Sequence, residues 1–170
     1  MRPFANPEAM TEQLIENVNK KVPKDGILFH LGDWCWGGKG DGKENAKKLR
    51  EALNVKTIYA VQGNHDNFSW ELANELFDSY HSMYELTVKS EPMRRIVLCH
   101  YAMRAWNCSH YGSYHLFGHT HAMTPPLGKS MDVGIDANKN FEPFSFWEIE
   151  EILSKREMHE AITKGTRYIY

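Results

Sequence analysis

Cysteine is scarce: Cys35, Cys99 and Cys108 are the three present in 170 residues, an odd number with no CxxC spacing. This argues against both a disulfide framework and a thiolate zinc site, and it predicts small buried hydrophobes. An excess of one charge sign is also missing. Lys and Arg number 20 against 22 Asp and Glu, a formal charge of -2, so the basic surface that draws a protein to a nucleic-acid backbone is not expected. No apolar run approaches the length needed to cross a bilayer, and the start, Met1-Arg2-Pro3-Phe4-Ala5-Asn6-Pro7, lacks the h-region of a signal peptide. The expectation is a soluble, cytoplasmic protein with no membrane partner and no generic nucleic-acid partner. Composition says nothing about oligomeric state.

What is present suits one compact domain over residues 1–170, with 42% hydrophobic residues to build a core. Asn6 can cap a helix with Pro7 at its first position, and Met10, Leu14, Ile15 and Val18 recur at helical spacing to about Lys20. After the turn Pro23-Lys24-Asp25-Gly26, the apolar run Ile27 to Leu31 reads as a buried strand that stops at Gly32-Asp33. Trp34 to Gly42 is glycine-rich loop, and Lys43 to Leu53 has helical composition with Ala46, Leu49 and Leu53 inward. A second strand, Thr57 to Val61, runs into Gln62-Gly63-Asn64-His65-Asp66. Beyond it the pattern predicts a helix near Trp70 to Phe77, strands at Met83 to Val88, Arg95 to Cys99, Tyr114 to Phe117 and Met131 to Ile135, and a helix over Trp147 to Ser154. Alternating strand and helix argue for an α/β layered fold.

Four of these apolar runs lead into a polar residue able to bind a metal: Asp33, Asn64, His100 and His119. In an open α/β sheet the loops at the carboxyl ends of the strands form the ligand crevice, so residues far apart in sequence can meet there. A carboxylate, an amide oxygen and imidazoles make a mixed O/N shell suited to manganese, iron or zinc. His119 and His121 are two apart, so an extended segment would point both the same way, and Asp33 has two oxygens with which to bridge two ions. His65 lies beside Asn64, where an imidazole held by Asp66 can protonate a leaving alkoxide.

Taken together and in order, Gly32-Asp33, Gly63-Asn64-His65-Asp66, Leu98-Cys99-His100-Tyr101 and Gly118-His119-Thr120-His121 resemble the calcineurin-like metallophosphoesterases. The resemblance runs from Arg2-Pro3-Phe4 to about Leu153. It implies a layered α/β/β/α sandwich, two divalent metal ions, and a phosphate-ester substrate, either monoester or diester, hydrolysed by metal-activated water. By the same resemblance Asp33 bridges the metals, Asn64, His100 and His119 complete the second metal's ligands, and His121 belongs to the first. His65 becomes the histidine that contacts the phosphate or leaving group, with Asp66 orienting it.

The family also opens with a strand ending in Asp-x-His, whose two side chains bind the first metal, and no Asp-x-His stands near this N-terminus. Asp25 precedes the strand leading to Asp33 and His30 lies within it, so neither replaces the motif. The reading is of an N-terminally shortened family member, with a complete shell for one ion and only Asp33 and His121 for the other. A catalytically impaired metal- or phosphate-binding module on the same scaffold is the alternative function.

Outside the motifs, His30, His81, His110, His115 and His159 are read as structural or surface residues. Trp34, Trp36, Tyr101 and Trp106 flank ligand positions, where they either form a substrate wall or cover the core edge. Arg2, Arg50 and Arg104 are candidate phosphate contacts, with solvation the commoner fate of arginine. Gly37-Gly38-Lys39-Gly40 lacks the spacing of a P-loop.

Overall fold

The computed structural model describes residues 2–35 and 42–158; Trp36, the Gly37–Gly40 loop and His159 lie outside that range. Helix α1 (Pro7–Lys21) starts as its sequence predicts, with the Asn6 side-chain carbonyl accepting from the Ala9 amide at 2.7 Å and Pro7 in the first turn. It turns Ile15 and Val18 toward the core. There follow β1 (Ile27–His30), α2 (Gly42–Ala52), β2 (Thr57–Val61), α3 (Trp70–Leu76), β3 (Ser79–His81), β4 (Met83–Val88), β5 (Arg94–Cys99), β6 (Tyr114–Phe117), β7 (Ser130–Asp132) and α4 (Phe146–Ser154). Ser145 and Glu148 close a reciprocal capping box at the start of α4. No helix among the described residues is long and apolar enough to cross a membrane.

The strands divide into two sheets, a mixed α/β arrangement. One sheet is parallel, in the order β1-β2-β3. The other runs β4-β5-β6-β7, antiparallel at β4/β5 and parallel from β5 to β7. Strand alternation then sends successive side chains to opposite faces. Leu28, Ile58 and Ala60 pack beneath α1, α2 and α3, whose Ala46, Leu72, Ala73 and Leu76 are buried. Phe29, Leu31 and Val61 face the other way and meet Ile96, Leu98, Leu116 and Met131 of the second sheet in a shared core. Ile149 and Leu153 of α4 enter the same core, and each such fully buried aliphatic side chain contributes about 1.5–3 kcal/mol.

Three local differences from the sequence expectations have physical causes. Ser79–His81 is too short and too polar to read as a strand, yet it pairs with the open side of β2. The predicted run Met131 to Ile135 ends at Asp132, because the Asp132 carboxylate turns back to accept the Gly134 amide at 2.8 Å and a 3-10 turn follows at Ile135–Ala137. The three cysteines are only partly buried, since each lies at a strand end or in a loop. Strand β1 lies at the edge of its sheet, with Ile27 exposed.

His115 on β6 is fully buried, and its ring is matched on both sides. Nδ1 lies 3.0 Å from the Val97 carbonyl, and Nε2 lies 3.1 Å from the Met103 amide and 3.2 Å from the Tyr101 carbonyl, so the residue pins the segment that follows His100. Burial pushes this imidazole below its ordinary value. A histidine held neutral in the folded state contributes stability that is complete above its unfolded value near 6.5 and is lost as pH falls below it. Chemical denaturation between pH 7.5 and 5.5 should therefore show a steeper loss in the parent than in His115→Gln, by up to about 1.4 kcal/mol per pH unit. Parallel pH profiles for the two proteins would rule this out.

Candidate metal centre

The two sheets present their carboxyl ends to one place. Asp33 and Asn64 follow β1 and β2 of the first sheet, while His100 and His119 follow β5 and β6 of the second. One ligand atom each from Asp33, His100 and His119 lie within 4.8 Å of one another. His100 is the centre of the group: its Nε2 stands 3.0 Å from Asn64 Oδ1, 3.2 Å from His119 Nδ1 and 3.5 Å from Asp33 Oδ2.

The tautomer of His100 decides what this means. Its Nδ1 lies 2.7 Å from the Leu31 carbonyl, an acceptor, so Nδ1 carries the proton and the Nε2 of the neutral ring is a bare lone pair. The His100 side chain is 2% exposed, and its Nε2 faces an amide oxygen and a carboxylate oxygen. A cation placed between such a lone pair and the two oxygens is attracted by all three. Two oxygens and two imidazole nitrogens form a donor set that fits manganese, iron or zinc.

Close approach of the two sheet ends depends on glycine. Gly32 has φ +94, and a Cβ there would lie 2.6 Å from Gly63 Cα and from His100 Nδ1. A Cβ on Gly63 would lie 2.2 Å from the Asp33 amide nitrogen. With neither side chain present, the two loops touch along their backbones and Asp33 reaches the cluster. Asp33 itself has φ 57, in the left-handed region. Its Oδ1 accepts from the His65 amide at 2.9 Å, which leaves Oδ2 toward His100.

Asp66 ties the same loops from below. The carboxylate is 5% exposed and accepts three backbone amides: Asp33 and Gly63 on Oδ2 at 2.9 and 2.8 Å, and Trp34 on Oδ1 at 2.8 Å. Its hold on these ligand loops is a role the sequence reading did not assign to it. His65 is exposed beside Asn64.

Asp132, at the end of β7, does the corresponding work on the other side, and nothing in the sequence pattern singled it out. Its Oδ2 accepts the Thr120 hydroxyl at 2.6 Å and the Ala122 amide at 2.9 Å. Around these contacts His119, His121 and Ala122 all adopt positive φ, conformations that cost non-glycine residues about 1–3 kcal/mol each and persist where the surroundings enforce them. The Gly118 amide also donates to the His100 carbonyl at 3.1 Å, which brings His119 beside His100.

His121 lies outside the three-residue cluster. Its Nδ1 is 2.7 Å from Asp136 Oδ2. Asp136 also receives Arg2 through Nε and Nη2, both at 2.7 Å, and hydrogen bonding from Arg2 is the main reason its carboxyl is held down at about 2.

The remaining candidates separate cleanly. Trp34 and Trp106 are core residues, their indole N–H groups donating to Ala46 and Ser113 carbonyls. Tyr101 is exposed and lies edge-on to both His100 and His119, with ring centroids 5.0 and 4.9 Å apart, so it borders the centre. Arg50 donates to the Leu76, Val55 and Lys56 carbonyls and serves the fold. Arg104 lines a shallow groove of about 330 Å³ with Met103, Phe117, Pro125 and Leu127. His30 packs edge-on against Trp34, and burial lowers its imidazole, opposed by Asp66 and Asp33. His81 bonds to Ser79 at 2.6 Å, and His110 is exposed in a 3-10 turn.

No protein-family model matches the chain, and no curated protein matches it either. Among solved structures it is similar to the protein of unknown function AQ665 from Aquifex aeolicus, at 21% identity and a TM-score of 0.64 over 88% of each chain. At that identity the likeness shows the fold alone.

Proposed function

We propose that this chain is a metal-dependent phosphoesterase of the calcineurin-like metallophosphoesterase type, built on that family's α/β/β/α sandwich and acting on a phosphomonoester or phosphodiester. One observation carries the reading: oxygen and nitrogen atoms of Asp33, Asn64, His100 and His119, residues able to ligate a metal, converge around His100 Nε2 at the ends of two sheets. A divalent ion held there would supply metal-activated water and Lewis-acid polarisation of a phosphoryl oxygen. The protein's own residues supply the rest. Asp33, Asn64, His100 and His119 would hold the ion, Tyr101 borders His100 and His119, and His65, exposed and next to Asn64 in sequence, would contact the phosphate or leaving group. Asp66 sets the position of both loops that carry Asp33 and His65.

A second reading has its own support. His121 is bonded to Asp136 outside the cluster, so the described residues bring together one shell, as a metal- or phosphate-binding module would need. Elemental analysis of the purified chain with a screen of aryl phosphate monoesters and diesters separates the two. Two ions with turnover favour the enzyme, whereas one or none without turnover favours the binding module. Within the enzyme reading, His65→Ala should lower turnover about a hundredfold with metal content unchanged. Loss of both in step would remove His65 from leaving-group chemistry.

A further inference from the structure

The partner of His121 is Asp136, in the 3-10 turn after β7, a residue that the motif pattern does not include. Asp136 Oδ2 is shared, taking Arg2 Nη2 and facing His121 Nδ1, each at 2.7 Å. Arg2 Nη2 stands 3.4 Å from that same Nδ1. If Nδ1 were bare, its lone pair would meet a carboxylate oxygen at hydrogen-bond distance, a repulsive arrangement. A proton on Nδ1 instead makes a charge-assisted hydrogen bond. The 3.4 Å separation from Arg2 is then two donors approaching one oxygen. Arg2 holds Asp136 with a two-pronged fork, and its own Nη1 rests 3.3 Å from Met10 Sδ on α1, so the carboxylate is fixed from behind.

We propose that Asp136, anchored by Arg2, is the positioning residue of His121: it accepts a hydrogen bond from Nδ1–H and so leaves the Nε2 lone pair of the neutral ring available to a divalent cation. The cation clause rests on the metal-centre reading above; the tautomer clause does not. Neutral imidazole in water favours the proton on Nε2, so an Nδ1–H form at a largely exposed histidine requires an acceptor like this one. Asp132 and Asp136 then divide the work on one loop: Asp132 bends the backbone from Thr120 to Ala122, and Asp136 sets which nitrogen of His121 is available.

The full chain, labelled with 15N-histidine, freed of metal with EDTA and held at pH 8.5, gives the tautomer directly from long-range proton–nitrogen spectra, with His121 assigned through His121→Gln. The expected result is Nδ1–H in the parent, Nε2–H in Asp136→Ala, and Nδ1–H again in Asp136→Asn, whose amide oxygen still accepts. An Nε2–H form in the parent, or no change in Asp136→Ala, overturns the proposal. Where Asp136→Ala fails to fold, the parent spectrum alone decides. Zn2+ is then added to the parent. A shift of His121 Nε2 to the metal-bound position supports the donor role, and about tenfold to hundredfold more Zn2+ is expected for that shift in Asp136→Ala. An unshifted His121 beside shifted His100 and His119 overturns the donor role, whereas unshifted His100 and His119 beside an Nδ1–H His121 count against the metal-centre reading and leave the tautomer assignment standing.

Discussion

Replacing Asp33 by asparagine is expected to weaken divalent-cation binding about a hundredfold, a loss of about 3 kcal/mol, while leaving the fold intact. The substitution keeps the shape of the side chain and the Oδ1 that accepts the His65 amide at 2.9 Å. It removes the one formal negative charge among Asp33, Asn64, His100 and His119, the groups that face one another across 3.0 to 3.5 Å. Titration calorimetry with Mn2+ or Zn2+ measures the affinity, and a thermal melt of the metal-free protein checks the fold. Affinity within twofold of the parent would show that Asp33 does not ligate.

Asp66→Ala should behave differently, because stability and metal affinity fall together. Three backbone amides, of Asp33, Trp34 and Gly63, lose their acceptor in a place where the carboxylate is 5% exposed. Leaving each such amide unsatisfied costs about 1–3 kcal/mol, and partial relaxation brings the expected total to about 3–5 kcal/mol. For a chain of this size that lowers the melting temperature by about 10 °C. With the Gly32–Gly63 contact no longer held, the Asp33 and Asn64 loops separate, so cation binding weakens even though no donor atom has been removed. A melting temperature unchanged to within a degree would mean that water replaces the carboxylate without loss.

The contrast between these two variants follows the boundary of what the sequence makes legible. Asp33, Asn64, His100 and His119 stand out because each lies just beyond an apolar strand, where local pattern alone marks an exit from the core. Asp132 and Asp136 have no such mark. A carboxylate that accepts Thr120 and Ala122, or one that faces His121, looks in sequence like any other aspartate, because these partners are 10 to 15 residues away. Arg2 is further still from Asp136, by 134 positions.

Strand pairing shows the same limit. The runs Thr57–Val61, Met83–Val88 and Tyr114–Phe117 have the bounds their composition predicts, since apolar alternation is local. Which strand neighbours which is not local, and the division into two sheets, with Ser79–His81 added to the first, depends on backbone groups finding partners far along the chain.

By itself, then, the sequence determined the alternation that makes an α/β protein, the four candidate ligand residues at strand ends, and most of the elements, though not the short strand Ser79–His81, because hydrophobic period and helix capping act over a few residues. Tertiary structure alone decided that those donors come from two facing sheets, that Gly32 and Gly63 let the loops touch, that Asp66 and Asp132 hold them, and that His121 is bonded to Asp136 apart from the cluster. The physical reason is the same in each case. A hydrogen bond or a backbone contact between distant segments has no sequence period to announce it, and it comes into being only when burial of the two cores brings those segments together.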